Sequence, residues 1–167
     1  MNTNNIYALE DLNSITDNKF GNVFLAGPTP RNKDIVSWRN NIISIFNNLQ
    51  FKGNLLIPEF RDNTTLMEFE FDEQIEWENK ALDLADIIIF WIPRELDNMP
   101  GYTTNIEFGF WLAKNPNKLC IGAPDNAPKM KYIKYQAIKN NIPYTNDIEK
   151  LVSLTLIKLR NTINNTF

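Results

Sequence analysis

The sequence offers carboxylates, and neither histidine nor paired cysteines, as its main candidates for chemistry. It contains 20 Asp and Glu residues, no histidine, and a single cysteine, Cys120. Histidine is the commonest general base and metal ligand, and one thiolate cannot form a cysteine-based metal site. We therefore expect no metal and no cofactor, and we expect any reaction to depend on carboxylates, hydroxyls, amides or the backbone.

Glu107 is the first candidate, because it lies in the segment Pro-Gly-Tyr-Thr-Thr-Asn-Ile-Glu-Phe-Gly. The pattern predicts a helix from about Thr104, and a carboxylate in its first turn would be kept ionised and nucleophilic by the helix dipole. Gly109 would let this helix approach a strand or ligand closely. The structural alternative is a capping box, in which Thr103 or Thr104 caps the helix and Glu107 bonds the cap amide.

A second carboxylate and two arginines complete the candidate set. Glu78 belongs to an acidic segment whose other charges are typical of a solvated helix surface. Arg94 follows an apolar strand and is expected to flank the same cleft as Arg31, and at least one of the two arginines is expected to bind an anionic group. The alternative for Arg94 is a salt bridge to Glu95 or Asp97.

Short strands that alternate with helices position these side chains. The predicted strands are Val23–Ala26, Leu55–Ile57, Asp86–Ile92, Leu119–Ile121 and Ile142–Thr145, and the helices run over about 35–49, 69–85, 104–114, 128–140 and 147–161. This order predicts an α/β fold, a flavodoxin-like doubly wound five-stranded parallel sheet with helices on both faces. Ligands of such sheets bind outside the carboxyl ends of the strands near the switch point, so the loops 27–31 and 93–105 form the expected site.

The whole chain, residues 1–167, is expected to be one domain, in which residues 1–20 form a polar, frayed N-terminal extension. A net charge of only −3 argues against nucleic acid as a partner. The sequence has neither a secretory signal pattern nor an apolar run long enough for a bilayer, so we expect no membrane partner and a cytoplasmic location.

Six ordered blocks in the region of about residues 20 to 145 carry a family resemblance. They are Val-Phe-Leu-Ala-Gly-Pro-Thr-Pro-Arg at 23–31, Ser-Trp-Arg at 37–39, Ile-Pro-Glu at 57–59, Gln-Ile-Glu-Trp-Glu at 74–78, Ala-Asp-Ile-Ile-Ile-Phe-Trp-Ile-Pro-Arg at 85–94 and the segment 100–109. Together they resemble the nucleoside 2-deoxyribosyltransferase-like proteins, specifically the small bacterial and phage members.

The resemblance implies roles for particular residues. Glu107 would attack the anomeric carbon and form a glycosyl-enzyme intermediate, and Glu78 would hydrogen-bond the nucleobase and assist its departure. The remaining expected substrate-binding residues are Gly27, Pro28, Thr29, Arg31, Arg94, Thr104 and Asn105. The implied partner is a small-molecule nucleoside or nucleotide, and we expect a homo-oligomer, since members of this family commonly complete their sites across subunits.

The sequence thus favours cleavage or transfer at the N-glycosidic bond of a nucleoside or nucleotide. Two carboxylates suffice for such chemistry, which passes through an oxocarbenium-like transition state. The alternative is a non-catalytic module of the same fold that binds or senses a nucleotide. A flavodoxin-like electron carrier is disfavoured, because the loop after the first predicted strand has neither a Ser/Thr-rich flavin-phosphate pattern nor a Gly-x-Gly-x-x-Gly motif.

Overall fold

A computed structural model describes residues 3–15, 19–32, 34–61 and 71–164. The strands are β1 (Asn4–Tyr7), β2 (Asn22–Ala26), β3 (Asn54–Ile57), β4 (Ile87–Trp91), β5 (Leu119–Gly122) and β6 (Tyr144–Thr145). The helices are α1 (Arg39–Asn48), α2 (Phe71–Leu84), α3 (Tyr102–Lys114), α4 (Lys131–Lys139) and α5 (Ile148–Asn164). None of the helices in these ranges combines the length and hydropathy that crossing a bilayer requires.

The strands form one parallel sheet in the order β1-β3-β2-β4-β5-β6. Without β1, this is the strand order of the flavodoxin-like doubly wound fold, which confirms the predicted fold class. The switch point lies between β2 and β4, where the chain turns first towards β3 and later towards β5. The loops that leave these two strands therefore diverge from a common crevice at the carboxyl edge of the sheet.

The sheet has six strands rather than the five that the sequence predicts. The additional strand, β1, lies in the segment predicted to be a frayed extension and pairs in parallel with β3 from Asn4 opposite Asn54 to Tyr7 opposite Ile57. Only Ile6 of this strand is buried. Its stability therefore depends mainly on backbone pairing at the sheet edge, which leaves little hydrophobic signal in the sequence.

Helices cover both faces of the sheet, as predicted. One apolar cluster joins α2, α3 and α4 to the sheet, and the other joins α1 and α5 to the opposite face. All five residues of β4 are buried. This central strand is thus fixed from both sides, so the positions of the loops around its carboxyl end are well determined.

Two predicted boundaries differ from the structure or lie outside it. The first helix begins at Arg39 rather than near Ile35, because residues 28–32 and 34–38 form a loop held by hydrogen bonds such as that from the indole of Trp38 to Pro28. The loop predicted at 61–65 and the helix start predicted near residue 69 fall largely in 62–70, outside the described residues. Asp86, just before β4, accepts a hydrogen bond from the backbone N–H of Asn22 (2.8 Å), which ties the start of β4 to the start of β2.

Candidate active site

A cleft of about 570 Å³ lies at the switch point, at the carboxyl ends of β2 and β4. Its walls come from the loop after β2, from α2, and from the start of α3. Among the described residues, four charged side chains line it, namely Arg31, Arg39, Glu78 and Glu107. The structure therefore brings together both predicted catalytic carboxylates and one of the two predicted anion-binding arginines.

Gly27 makes the floor of the cleft possible. Its φ is +144°, and a Cβ at this position would lie 2.1 Å from the carbonyl oxygen of Trp91. Only glycine can adopt this backbone so close to the end of β4. The indole N–H of Trp38 donates to the carbonyl of Pro28 (2.8 Å), which holds the loop after β2 to the start of α1. Gly27, Pro28 and Thr29 all line the cleft, as the resemblance implies.

Arg39 lies beneath this loop and is only 1% exposed. Its guanidinium donates to the carbonyls of Leu25 (2.9 Å) and Gly27 (2.8 Å) and to the hydroxyl of Thr29 (3.2 Å). It also forms an ion pair with Glu59 (2.6 Å). Arg39 is therefore part of the cleft wall as well as the partner of Glu59 in an ion pair.

Glu78 enters the cleft from α2. Its Oε1 accepts a hydrogen bond from the side-chain amide of Gln74, one helical turn earlier, at 2.6 Å. Burial raises the pKa of Glu78, while the bond from Gln74 and the charge of Arg39 oppose that rise. Unlike the exposed Asp72, Glu73 and Glu76 of the same helix, Glu78 is half-buried, so it is not part of the solvated surface.

Glu107 enters from the opposite wall on α3, and it is also half-buried. Burial, followed by repulsion from Glu78, raises its pKa to about 7, while the charge of Arg39 acts in the opposite direction. Within the described residues, no side chain or backbone N–H donates a hydrogen bond to its carboxylate. The group therefore faces the cleft with its oxygen atoms available to a ligand.

The capping box, the structural alternative for Glu107, is not formed. The helix begins at Tyr102 after Gly101, whose φ is +66°, and no side chain caps it. Glu107 thus lies in the second turn of α3 rather than the first, where the dipole has its main effect. The dipole does not dominate its ionisation, since the pKa of Glu107 is raised rather than lowered. Gly109 also differs from its prediction, because a Cβ there would meet nothing within 4 Å.

The start of α3 presents a different set of residues from the predicted one. Thr104 is 2% exposed and turns towards the sheet with Phe108 and Trp111, while Tyr102, Thr103 and Ile106 line the cleft. Thr103 lies one turn before Glu107 and so shares its face. The spacing of four and three between Thr104, Phe108 and Trp111 is the sequence signal that could have predicted which face of α3 is buried.

Arg94 does not share the cleft of Arg31. It lines a second cavity beside the loop 124–128, and its guanidinium donates to the side-chain oxygen of Asn105 (2.5 Å) and to the carbonyl of Lys129 (3.3 Å). The alternative salt bridge to Glu95 is also not formed, because both oxygens of that carboxylate accept N–H groups of residues 97–98. Asn105 is therefore engaged with Arg94 and lies outside the lining of the cleft.

The lining favours chemistry by carboxylates. No group of three or more His, Cys, Asp or Glu residues able to hold a metal occurs among the described ranges of the chain. Two half-buried carboxylates with raised pKa values can share one proton near neutral pH. Such a pair can supply a nucleophile and an acid to one bound substrate.

Comparison with known proteins gives one family match. A family model described as nucleoside 2-deoxyribosyltransferase like matches residues 21–126. This range contains β2 to β5 and every residue that lines the cleft. No curated protein matches the chain.

Proposed function

Because the chain belongs to the nucleoside 2-deoxyribosyltransferase like family, we propose that it cleaves or transfers the N-glycosidic bond of a nucleoside or nucleotide. The observation that carries this proposal is the pair Glu107 and Glu78, which share one cleft, are half-buried and have raised pKa values. Structural carboxylates are normally paired or solvated, whereas perturbed ones in a cleft are typical of active sites.

In the first step, ionised Glu107 attacks the anomeric carbon of the sugar. The C–N electron pair leaves with the base, and a carboxyl oxygen of Glu107 becomes bonded to the anomeric carbon. Protonated Glu78 donates its proton to the departing base. Burial and repulsion from Glu78 raise the pKa of Glu107 to about 7, so in the free protein the proton of the pair lies mainly on Glu107. The reaction proceeds from the form in which Glu107 is ionised and that proton lies on Glu78, whose side chain Gln74 holds in position.

In the second step, an acceptor displaces Glu107 from the sugar. Water as the acceptor gives hydrolysis, and a second base gives transfer. Glu78, now ionised, removes the proton from the acceptor, which restores the starting state of both carboxylates. The overall reaction is balanced without an oxidant, a reductant or a metal.

The apolar and hydroxyl groups of the cleft fit the two ends of such a substrate. Ile75 and Ile106 line the cleft although they are 42% and 73% exposed, and they offer apolar contacts to a planar base. Gly27, Pro28 and Thr29 are the proposed contacts of the sugar. Arg31 lies at the rim with its guanidinium 5.6 Å from the centre of the Tyr102 ring, and we propose that it binds a 5′-phosphate when the substrate is a nucleotide.

The test incubates the protein with a panel of nucleosides and their 5′-monophosphates. Chromatography and mass spectrometry detect the release or exchange of the base. Base release by the wild type, and its loss in Glu107→Gln, is the expected result. A folded protein that releases no base from any panel member, but binds a nucleotide with a defined stoichiometry, would instead support nucleotide sensing.

We also propose that the protein acts as a homo-oligomer in the cytoplasm. The support is the exposed apolar face of α3, where Tyr102, Ile106 and Phe110 are 68%, 73% and 57% exposed. Tyr102 and Ile106 belong to the cleft as well, so a subunit packed on this face would adjoin bound substrate. Sedimentation equilibrium of the wild type and of Phe110→Asp tests this, since only a shared α3 interface makes the substitution dissociate the assembly.

A further inference from the structure

Arg39, the buried cation of the cleft, makes several contacts besides its ion pair with Glu59. It is among the largest fully buried side chains of the described residues, and it stacks beside the indole of Trp38 with 4.4 Å between its Cζ and the ring centre. A buried guanidinium is costly unless its donors and its charge are both satisfied. What satisfies each of them therefore indicates what Arg39 does.

The donors of Arg39 are satisfied mainly by the end of β2 and the loop that follows. Three of its four hydrogen-bond acceptors are Leu25 O, Gly27 O and Thr29 Oγ1. These residues span the turn that forms the cleft floor, and two of them line the cleft. A lysine at this position would supply a single ammonium and could not hold three separated acceptors with a planar fork.

The charge of Arg39 is shared between two sides. On one side Glu59 forms the ion pair at 2.6 Å and also accepts a hydrogen bond from the hydroxyl of Ser37 at 2.8 Å. On the other side are the cleft carboxylates, and the positive charge of Arg39 lowers the pKa of both Glu78 and Glu107 against the effect of burial. Arg31, the fourth charged side chain that the described residues contribute to the cleft lining, is exposed and therefore better screened by water.

We propose that Arg39 is a positioning residue of this cleft, which fixes the loop after β2 and keeps the Glu78–Glu107 pair able to ionise, while Glu59 limits the strength of its charge. Without the cation, burial would raise the pKa of both carboxylates further, and less of Glu107 would be ionised near neutral pH. Without Glu59, the positive charge of Arg39 would act more strongly on both carboxylates and would lower their pKa values. The inference rests on the proposed function for the use of the proton of this pair, but its main test requires no turnover.

The test measures the acid dissociation constant of Glu107. A pH titration of protein labelled with carbon-13 at the glutamate side-chain carboxyls is monitored by NMR. The Glu107 resonance is identified as the one missing from Glu107→Gln. Arg39→Gln removes the positive charge and should lower the acid dissociation constant of Glu107 by on the order of tenfold. Glu59→Gln breaks the same ion pair but frees the positive charge, so the constant should increase.

The decisive result is that the two variants shift the acid dissociation constant of Glu107 in opposite directions. A purely structural effect of breaking the ion pair would shift the constant in the same direction in both. Arg61→Gln is the matched control, since it breaks the exposed ion pair between Arg61 and Glu10 and should leave the Glu107 titration unchanged. If Arg39→Gln does not fold, Glu59→Gln alone decides the matter. An unchanged or decreased constant in that variant overturns the inference.

The outcome for the inference is separable from the outcome for the proposed function. Opposed shifts in a protein that releases no base from any nucleoside would retain the charge role and remove the glycosidic chemistry. Base release by the wild type, together with titrations that neither variant alters, would retain the chemistry and leave Arg39 as a support of the loop only.

Discussion

The replacement of Glu107 by glutamine should remove activity and at the same time stabilise the protein at neutral and alkaline pH. The carboxyl ionises with a pKa of about 7 in the folded state because burial and the charge of Glu78 oppose ionisation. In the unfolded chain it would ionise near its ordinary value of 4.5. The folded state therefore binds the proton more tightly, and its stability falls as the pH rises from the lower value through the higher one.

The size of the effect follows from this difference of about 2.5 pKa units between the unfolded and the folded state. At roughly 1.4 kcal/mol for each unit, ionised Glu107 costs the folded state about 3 kcal/mol above about pH 8, and less than about 1 kcal/mol near pH 5. Glutamine has the same size and carries no charge, so it removes this cost. For a chain of this length the gain corresponds to a rise in Tm of roughly 6 to 12 °C at alkaline pH.

Thermal and urea unfolding near pH 5 and near pH 8.5 measure this difference directly. Glu76→Gln is the matched control, because Glu76 lies on the solvent side of α2 and is exposed. It should change stability by less than about 0.5 kcal/mol at either pH. A Glu107→Gln variant that is no more stable than the wild type at the higher pH, or one whose gain does not depend on pH, would refute the reasoning.

Three further predictions concern the other residues of the cleft. Glu78→Gln should lower the rate of base release by about 10² or more, because the departing base loses its proton donor, and it should lower the pH at which the remaining rate rises, because it removes the repulsion that helps to raise the pKa of Glu107 to about 7; an unchanged pH dependence would show that Glu78 does not act on Glu107. Gly27→Ala should destabilise the fold by about 2 kcal/mol or more in urea unfolding, because its Cβ would collide with the carbonyl oxygen of Trp91. Gly109→Ala should stabilise the fold by up to about 1 kcal/mol, because its Cβ meets open space and alanine favours the helix. Arg31→Ala should raise KM for a nucleoside monophosphate roughly tenfold and leave KM for the matching nucleoside unchanged, since only the nucleotide has a phosphate for the guanidinium; an equal effect on both substrates would exclude a phosphate contact.

The fold could be predicted from the sequence where hydrophobic pattern determines structure. The apolar run that becomes β4 and the spacing of the helices that cover it gave the layers and the switch point. The strand β1 could not be recognised, because Asn4–Tyr7 is polar and is held by backbone pairing to β3. Boundaries such as the start of α1 depended on loop hydrogen bonds that leave no periodic signal.

The sequence predicted which residues form the candidate site better than it predicted where their side chains point. The sequence identified Glu107, Glu78 and the turn at Gly27, all of which line the cleft. It grouped Arg94 with Arg31, but a side chain just beyond a strand is directed by its loop, and Arg94 turns towards Asn105 and Lys129. Arg39 was not assigned to the cleft, because its contacts join residues that are 10 to 20 positions apart in sequence.

The central claim, that Glu107 forms a covalent bond to the sugar, is tested most directly by trapping the intermediate. A 2-fluoro-substituted nucleoside slows the second step more than the first, so the glycosylated protein should accumulate. Intact mass spectrometry of the wild type should show one added fluorosugar, and peptide mapping should assign it to Glu107, with no addition in Glu107→Gln. A fluorosugar attached to another residue, or base release at full rate by Glu107→Gln, would contradict the account.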